Sequence, residues 1–259
     1  MTWAPGALAP RPGTAPVGRM LAAQTVAELK LVLRNGEQVL LSLVLPVGLL
    51  VVLVTVPFID LDESLAGGRA DFFVPGVLAL AIMSTAFTGQ AIGVGFERQY
   101  GVLKRLGATP LPRSVLLLAK TLAVLAVEAL QVLLLSAVGL ALGWEPSGSA
   151  LAVLALVVLG TAAFSGLGLL LGGTLRGLTT LAAANLLWFV LLVLGGVLFP
   201  LSAFGAAEPL LALLPTAALS TGLRDVLVDG VAVPWQPLLV LTGWAAAGLT
   251  AASRFFRWE

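Results

Sequence analysis

Five stretches of this chain, 38–59, 72–96, 146–175, 177–207 and 231–253, contain no charged side chain, and a sixth, 121–144, is interrupted only by Glu128. A hydrocarbon layer about 30 Å thick takes ~20 residues of helix to cross, so each stretch is long enough to span a membrane. Backbone N–H and C=O groups in lipid must be satisfied within a helix or a closed barrel. Leu, Ala, Val and Gly fill the stretches without the alternation of a barrel strand, which selects helices. The fold class expected is an all-α polytopic membrane protein with six transmembrane helices, at about 38–59, 72–96, 115–142, 150–173, 179–199 and 237–253.

Composition agrees: 59% of the residues are hydrophobic and only 10% charged, against about 25% charged in a soluble domain. Cysteine and histidine are both absent. The chain therefore supplies no disulfide, thiol nucleophile, imidazole base or Cys/His metal site, and no catalytic or metal-binding residue is expected. Two-aspartate intramembrane proteolysis would need mid-span Asp residues, which are missing.

Lys and Arg in short loops mark the cytoplasmic side. With six spans, twelve of the fourteen basic residues fall on one side: Arg11, Arg19, Lys30, Arg34, Arg98, Lys104, Arg105, Arg113, Lys120, Arg176, Arg254 and Arg257. The other side holds Arg69 and Arg224 with eight acids, among them Asp60, Asp62, Glu63, Asp71 and Glu145. This arrangement predicts a multi-pass protein of the plasma (inner) membrane with both termini in the cytoplasm.

Four prolines within the first sixteen residues and no apolar run predict a disordered cytoplasmic tail over 1–18, followed by a single membrane domain over 19–259. The first span itself is then expected to direct insertion. Ahead of that span, Leu21, Val26, Leu29, Val32 and Leu33 share one helical face, the pattern of an interfacial helix lying along the cytoplasmic leaflet. Between the last two spans, the uncharged run 209–223 has 15 residues, too short to cross comfortably and too apolar for an ordinary loop. A re-entrant or interfacial hairpin is expected there, broken at Pro215, with Arg224 and Asp225 holding its end at the headgroups. Gly168 and Gly172 form a small-residue step suited to close helix contacts or to a dimer seam, and Pro46 is placed to kink the first span.

The most charged stretch, FERQYGVLKRLGATPLPR at 96–113, lies between the second and third spans. Tyr100, Val102, Leu103 and Leu106 recur at roughly helical spacing among Arg98, Lys104 and Arg105, and Gly107, Pro110 and Pro112 supply a stop. The pattern predicts one or two turns of amphipathic helix starting at Glu97, whose charge suits the helix dipole. Positive-inside anchoring accounts for the basic residues, whereas apolar knobs within a charged rim are what a groove on a partner protein accepts.

Inside the spans, Glu128 is the ionisable residue placed deepest, and a charge at mid-membrane costs about 2.5 to 3.5 kcal/mol on insertion scales. Gln131 shares its face. Ser84, Thr85, Thr88 and Gln90 form a polar band in the second span, and Asn185 with Trp188 marks the fifth. Glu128, Gln131, Ser84, Thr88 and Asn185 are candidates for a substrate pathway; packing between neighbouring helices is the alternative role for such groups.

The stretch 96–113 resembles the loop between the second and third spans of ABC-2-type permeases, the membrane subunits of ABC exporters. The residues carrying the likeness are Glu97, Arg98, Gly101, Leu103, Leu106, Thr109, Pro110 and Arg113. An interfacial helix, six spans and an external apolar hairpin extend it over nearly the whole chain. The resemblance implies that Glu97, Arg98, Tyr100, Gly101, Leu103, Lys104, Arg105 and Leu106 form a coupling helix against an ATPase subunit. It also implies two copies of that ATPase, a second permease copy in a homodimer, and efflux of a hydrophobic or amphipathic drug, antibiotic or lipid-like substrate. The Pro-rich tail is not a feature of the family.

No Gly-x-x-x-x-Gly-Lys-Ser/Thr loop surrounds any of the three lysines, Lys30, Lys104 and Lys120. No cofactor is expected on this chain; ATP and magnesium belong to the partner subunit. Membrane lipid is the other expected partner, and no nucleic acid is. Export of lipid or a lipid-linked glycan is an alternative cargo, and a proton-coupled carrier using Glu128 an alternative mechanism.

Overall fold

The computed structural model describes residues 15–57 and 68–256, and all regular structure among them is helical. Most of the expected tail, Asp60, Asp62, Glu63, Arg11 and Arg257 lie outside the described residues. Helix α1 (Val17–Arg34) precedes α2 (Gly36–Thr55), and the chain bends by 68° between them. At 1.5 Å per residue the 20 residues of α2 reach about 30 Å, the thickness of the hydrocarbon layer.

The second span runs unbroken over 31 residues, Arg69–Gln99. It comprises α3 (Arg69–Met83), a π-helical segment (Ser84–Gly89) and α4 (Gln90–Gln99). It is the most enclosed of the spans and lies at the centre of the bundle. After the short α5 (Val102–Gly107) come α6 (Arg113–Ala141), α7 (Ala150–Thr174) and α8 (Gly177–Leu194), and the last span is α11 (Trp235–Phe255). Among the described residues five helices are thus long and apolar enough to cross a membrane. Lying against α6 and the second span, α2 has the length for a sixth.

Glycines on α7 allow backbones to approach closely. A Cβ on Gly168 would lie 2.7 Å from Phe87 O, one on Gly172 2.5 Å from Ala91 O, and one on Gly166 2.6 Å from Leu249 N. The Gly168–Gly172 step therefore faces the second span within this chain, and its ridge is not a seam for a second copy.

Between α8 and α11 the chain folds into a hairpin. A 3-10 turn (Leu201–Ala207) with α9 (Glu208–Leu211) forms one limb and α10 (Pro215–Leu227) the other, at 120° to each other. Pro215 occupies the first turn of α10, where its missing N–H needs no partner. Arg224, expected to hold that end at the headgroups, turns its guanidinium onto the second span. Its guanidinium lies 4.0 Å from the centre of the Phe72 ring, and Nε donates to Phe72 O at 3.1 Å. Burying α10 against α3 brings it there. Arg69, at the same end of the bundle, donates from Nη2 to Leu53 O at 2.6 Å and to Val56 O at 2.8 Å. It thereby satisfies carbonyls that the end of α2 leaves without helical partners.

Candidate functional site

Two groupings of polar side chains stand out from the apolar bundle. The first is at the end of the molecule that carries α5. Helix α4 ends at Gln99, Gly101 adopts φ 71° in the left-handed region, and α5 restarts at Val102. Only glycine enters that region without steric cost, so Gly101 divides the expected single helix in two. Glu97 and Arg98 consequently lie in the last turn of α4 and do not start the coupling segment.

The two sides of α5 have different roles. Leu103 is fully buried, in a small core with Val94, Leu116, Leu169 and Phe256, and Leu106 packs at its edge. It is not an outward knob, contrary to expectation, because the turn at Gly101 folds α5 back onto the bundle. Tyr100 is 68% exposed and Val102 40% exposed, and Lys104 and Arg105 are exposed beside them. Tyr100 stacks on Phe96, ring centroids 6.1 Å apart.

Beneath this surface Lys120 of α6 donates from Nζ to Glu97 at 2.8 Å and to Glu28 of α1 at 2.9 Å. Gln24 Nε2 donates to the other oxygen of Glu28 at 2.8 Å. One ammonium thus joins α1, the second span and α6. Lys120 and Glu28 are both buried, and buried charges persist only when paired. Arg98 extends the fastening to a fourth element by donating from Nη1 to Leu175 O at 3.2 Å, just past the end of α7. Arg113 Nη1 donates to Phe256 O at 3.3 Å, beyond α11. Sequence reasoning counted Lys120 among the basic residues of the cytoplasmic side and missed the triad, although Lys120 falls inside the expected span 115–142.

The second grouping is a polar layer around the π-helical segment. Pro46 has no N–H to bond Ser42 O one turn back, and Gln131 Nε2 donates to that carbonyl at 2.9 Å. Gln131 Oε1 accepts from Thr85 Oγ1 at 3.1 Å. This one amide links α2, the second span and α6. Ser84 Oγ accepts from Trp188 Nε1 of α8 at 2.8 Å and donates to Leu80 O at 2.7 Å. π-Helical turns within α-helices are frequent at functional positions.

Glu128 is wholly buried and meets Thr161 of α7. Thr161 Oγ1 also donates to Val157 O at 2.8 Å. Thr161 thus joins Glu128 to the backbone of α7. Glu128 Oε1, Thr88 Oγ1, Ser165 Oγ and both polar atoms of Gln90 are buried without a hydrogen-bond partner among the described residues.

Of the five pathway candidates, Ser84 and Thr88 lie in the π-helical segment, Gln131 bonds Thr85 of that segment, and Glu128 faces Thr161 of α7. Asn185 lies apart: it is exposed on the outer face of α8, beside exposed Leu186, Phe189 and Val190. Thr161 and Ser165 had no mark in the sequence beyond being hydroxyls in an apolar run. Among the described residues no cluster of acidic side chains suits a metal ion.

A family model described as ABC-2 type transporter matches residues 21–228. No curated protein matches the chain.

Proposed function

The chain belongs to the ABC-2 type transporter family, and from that premise we propose that it is the permease of an ATP-driven exporter whose motor docks on Tyr100, Val102, Lys104 and Arg105. Permeases of this family work with an ATPase subunit. ATP and magnesium belong there, since this chain has no phosphate-binding loop. The observation that carries the reading is the two-sided build of α5. Leu103 plugs it into the bundle while Tyr100 and Val102 project among basic side chains. Force applied to that surface passes through Glu97 and Lys120 to α1 and α6, and through Arg98 to α7.

The proposed orientation sets α5 and both termini in the cytoplasm of a cell whose plasma membrane the bundle spans, with the domain extending over 19–259. The proposed working unit has two permease copies and two ATPase copies. Support for a second copy is Asn185, an exposed amide on a helix otherwise covered with Leu, Phe and Val. An amide in hydrocarbon without a partner costs several kcal/mol, roughly 4 to 8 on the cyclohexane scale, and a facing copy supplies one. The cargo proposed is hydrophobic or amphipathic, drug-, antibiotic- or lipid-like, because the surfaces left for it are apolar. Glu128 is assigned to fastening α6 to α7 through Thr161.

Co-expression with the cognate ATPase tests the docking. Tyr100→Ala and Val102→Asp should lower the ATPase recovered with the permease several-fold while leaving the permease in the membrane. Undiminished recovery with both variants would refute the assignment.

A further inference from the structure

A trough lies where α1, α2 and α6 meet, and its walls are seven apolar side chains. Leu29 and Leu33 come from α1, Val39 and Leu43 from α2, and Ala126, Val127 and Leu130 from α6. Its volume is ≈ 180 Å³. An engineered cavity of about 150 Å³ lined by Leu, Ile and Phe stays dry and takes up benzene, so a recess of this size and lining admits hydrocarbon in preference to water. It is open on one side, where Leu33 is 51% and Leu130 48% exposed.

Its position narrows the occupant. Helix α1 meets α2 at 68°, so with α2 across the bilayer α1 runs along one surface of it. The trough then opens at the boundary between headgroups and acyl chains. Lys30 and Arg34 each directly follow a wall residue of α1, and both are exposed. Basic side chains next to an apolar slot match a ligand with a hydrocarbon chain and an anionic head.

We propose that this trough holds one acyl chain of an anionic phospholipid from the leaflet in which α1 lies, with Lys30 and Arg34 at its headgroup. The bound chain fills the gap between α1 and α6 on the bilayer side, while the Glu28–Lys120 pair closes the same two helices on the other. The lipid therefore holds α1 in the register that the triad needs, and through Glu97 it bears on the base of α5.

The test uses the full-length permease in phosphatidylcholine vesicles containing phosphatidylglycerol with a photoactivatable diazirine on its acyl chain, and cross-linked peptides are mapped by mass spectrometry. Label should be several-fold denser on 29–33, 39–43 and 126–130 than on the exposed face of α8. Phosphatidylglycerol should label the trough several-fold more than diazirine phosphatidylcholine does, and Lys30→Gln with Arg34→Gln should remove that preference. Leu130→Trp, or Leu33→Trp where the first variant does not keep the wild-type gel-filtration profile, should lower trough label to the α8 level. Label no denser in the trough than on α8, or unchanged in a filled variant, overturns the site. Equal labelling by the two phospholipids overturns the headgroup assignment. Displacement by an uncharged long-chain alcohol as effective as that by phosphatidylglycerol would give the trough to an apolar cargo instead. No ATPase is present in this assay, so its failure is distinguishable from failure of the docking assignment.

Discussion

Lys120 Nζ lies 2.8 Å from the carboxylate of Glu97, so the helix entering α5 and the helix leaving it are joined by a charge pair 23 residues apart in sequence. The same ammonium holds Glu28, 92 residues away. A docking surface on α5 alone would be a short helix on a glycine hinge. The shared lysine makes it the outer end of a fixed body that includes α1, α4 and α6.

Removing the lysine should therefore cost more than losing a surface ion pair. Lys120→Met leaves two carboxylates without their cation, and breaking a buried pair from one side costs about 3 to 5 kcal/mol. The thermal transition of the detergent-solubilised protein should fall sharply. The triple variant with Glu28→Gln and Glu97→Gln should recover most of the loss, because no charge is then stranded. A triple variant no more stable than the single one would show that the charges are not what the lysine serves.

At Glu128 the account predicts tolerance of neutral replacements. Glu128→Gln retains an N–H to donate to Thr161, and Glu128→Leu leaves Thr161 its bond to Val157 O. Either should alter stability by about 1 kcal/mol or less. Thr161→Val, which strands the buried carboxyl, should cost about 1 to 3 kcal/mol. The check is denaturation of the three variants side by side, with efflux measured across pH. Abolished efflux in a stably folded Glu128→Gln would return this residue to the transport pathway.

The contact between α7 and the π-helical segment leaves no room for a side chain. Gly168→Val would set its Cβ about 2.7 Å from Phe87 O, and overpacking of this kind typically costs about 1 to 3 kcal/mol. A Cβ on Gly93 would meet nothing within 4 Å, so Gly93→Ala should be nearly neutral. Thermal stability of the two variants separates packing at this seam from a general effect of losing glycine.

What could be read without the structure is what the bilayer dictates. Length and apolarity located the spans because crossing hydrocarbon is a local requirement, met by each segment alone. A separate helix ahead of the first span and a hairpin ahead of the last were legible for the same reason, as apolar runs of the wrong length or periodicity for a span. Contacts between distant segments were not. Leu103 looks like an outward knob until Gly101 turns α5 against Val94 and Phe256. Lys120 looks like an anchoring charge until Glu28 and Glu97 surround it. The partners of Glu128 and Ser84, Thr161 and Trp188, come from helices whose rotation no periodicity in a uniformly apolar run could fix. The π-helical segment likewise has no marker in STAFTG beyond small and polar residues.

The most direct test of the central claim uses the absence of native cysteine. Val102→Cys on α5 and Val231→Cys at the opposite end, each replacing an exposed valine, are treated with a membrane-impermeant maleimide in intact cells and in inside-out vesicles. The account predicts that cysteine at 102 is labelled only in inside-out vesicles and is protected when the cognate ATPase is bound, whereas cysteine at 231 is labelled only in intact cells. Labelling of position 102 from outside the cell, or at the same rate with and without the ATPase, would contradict it.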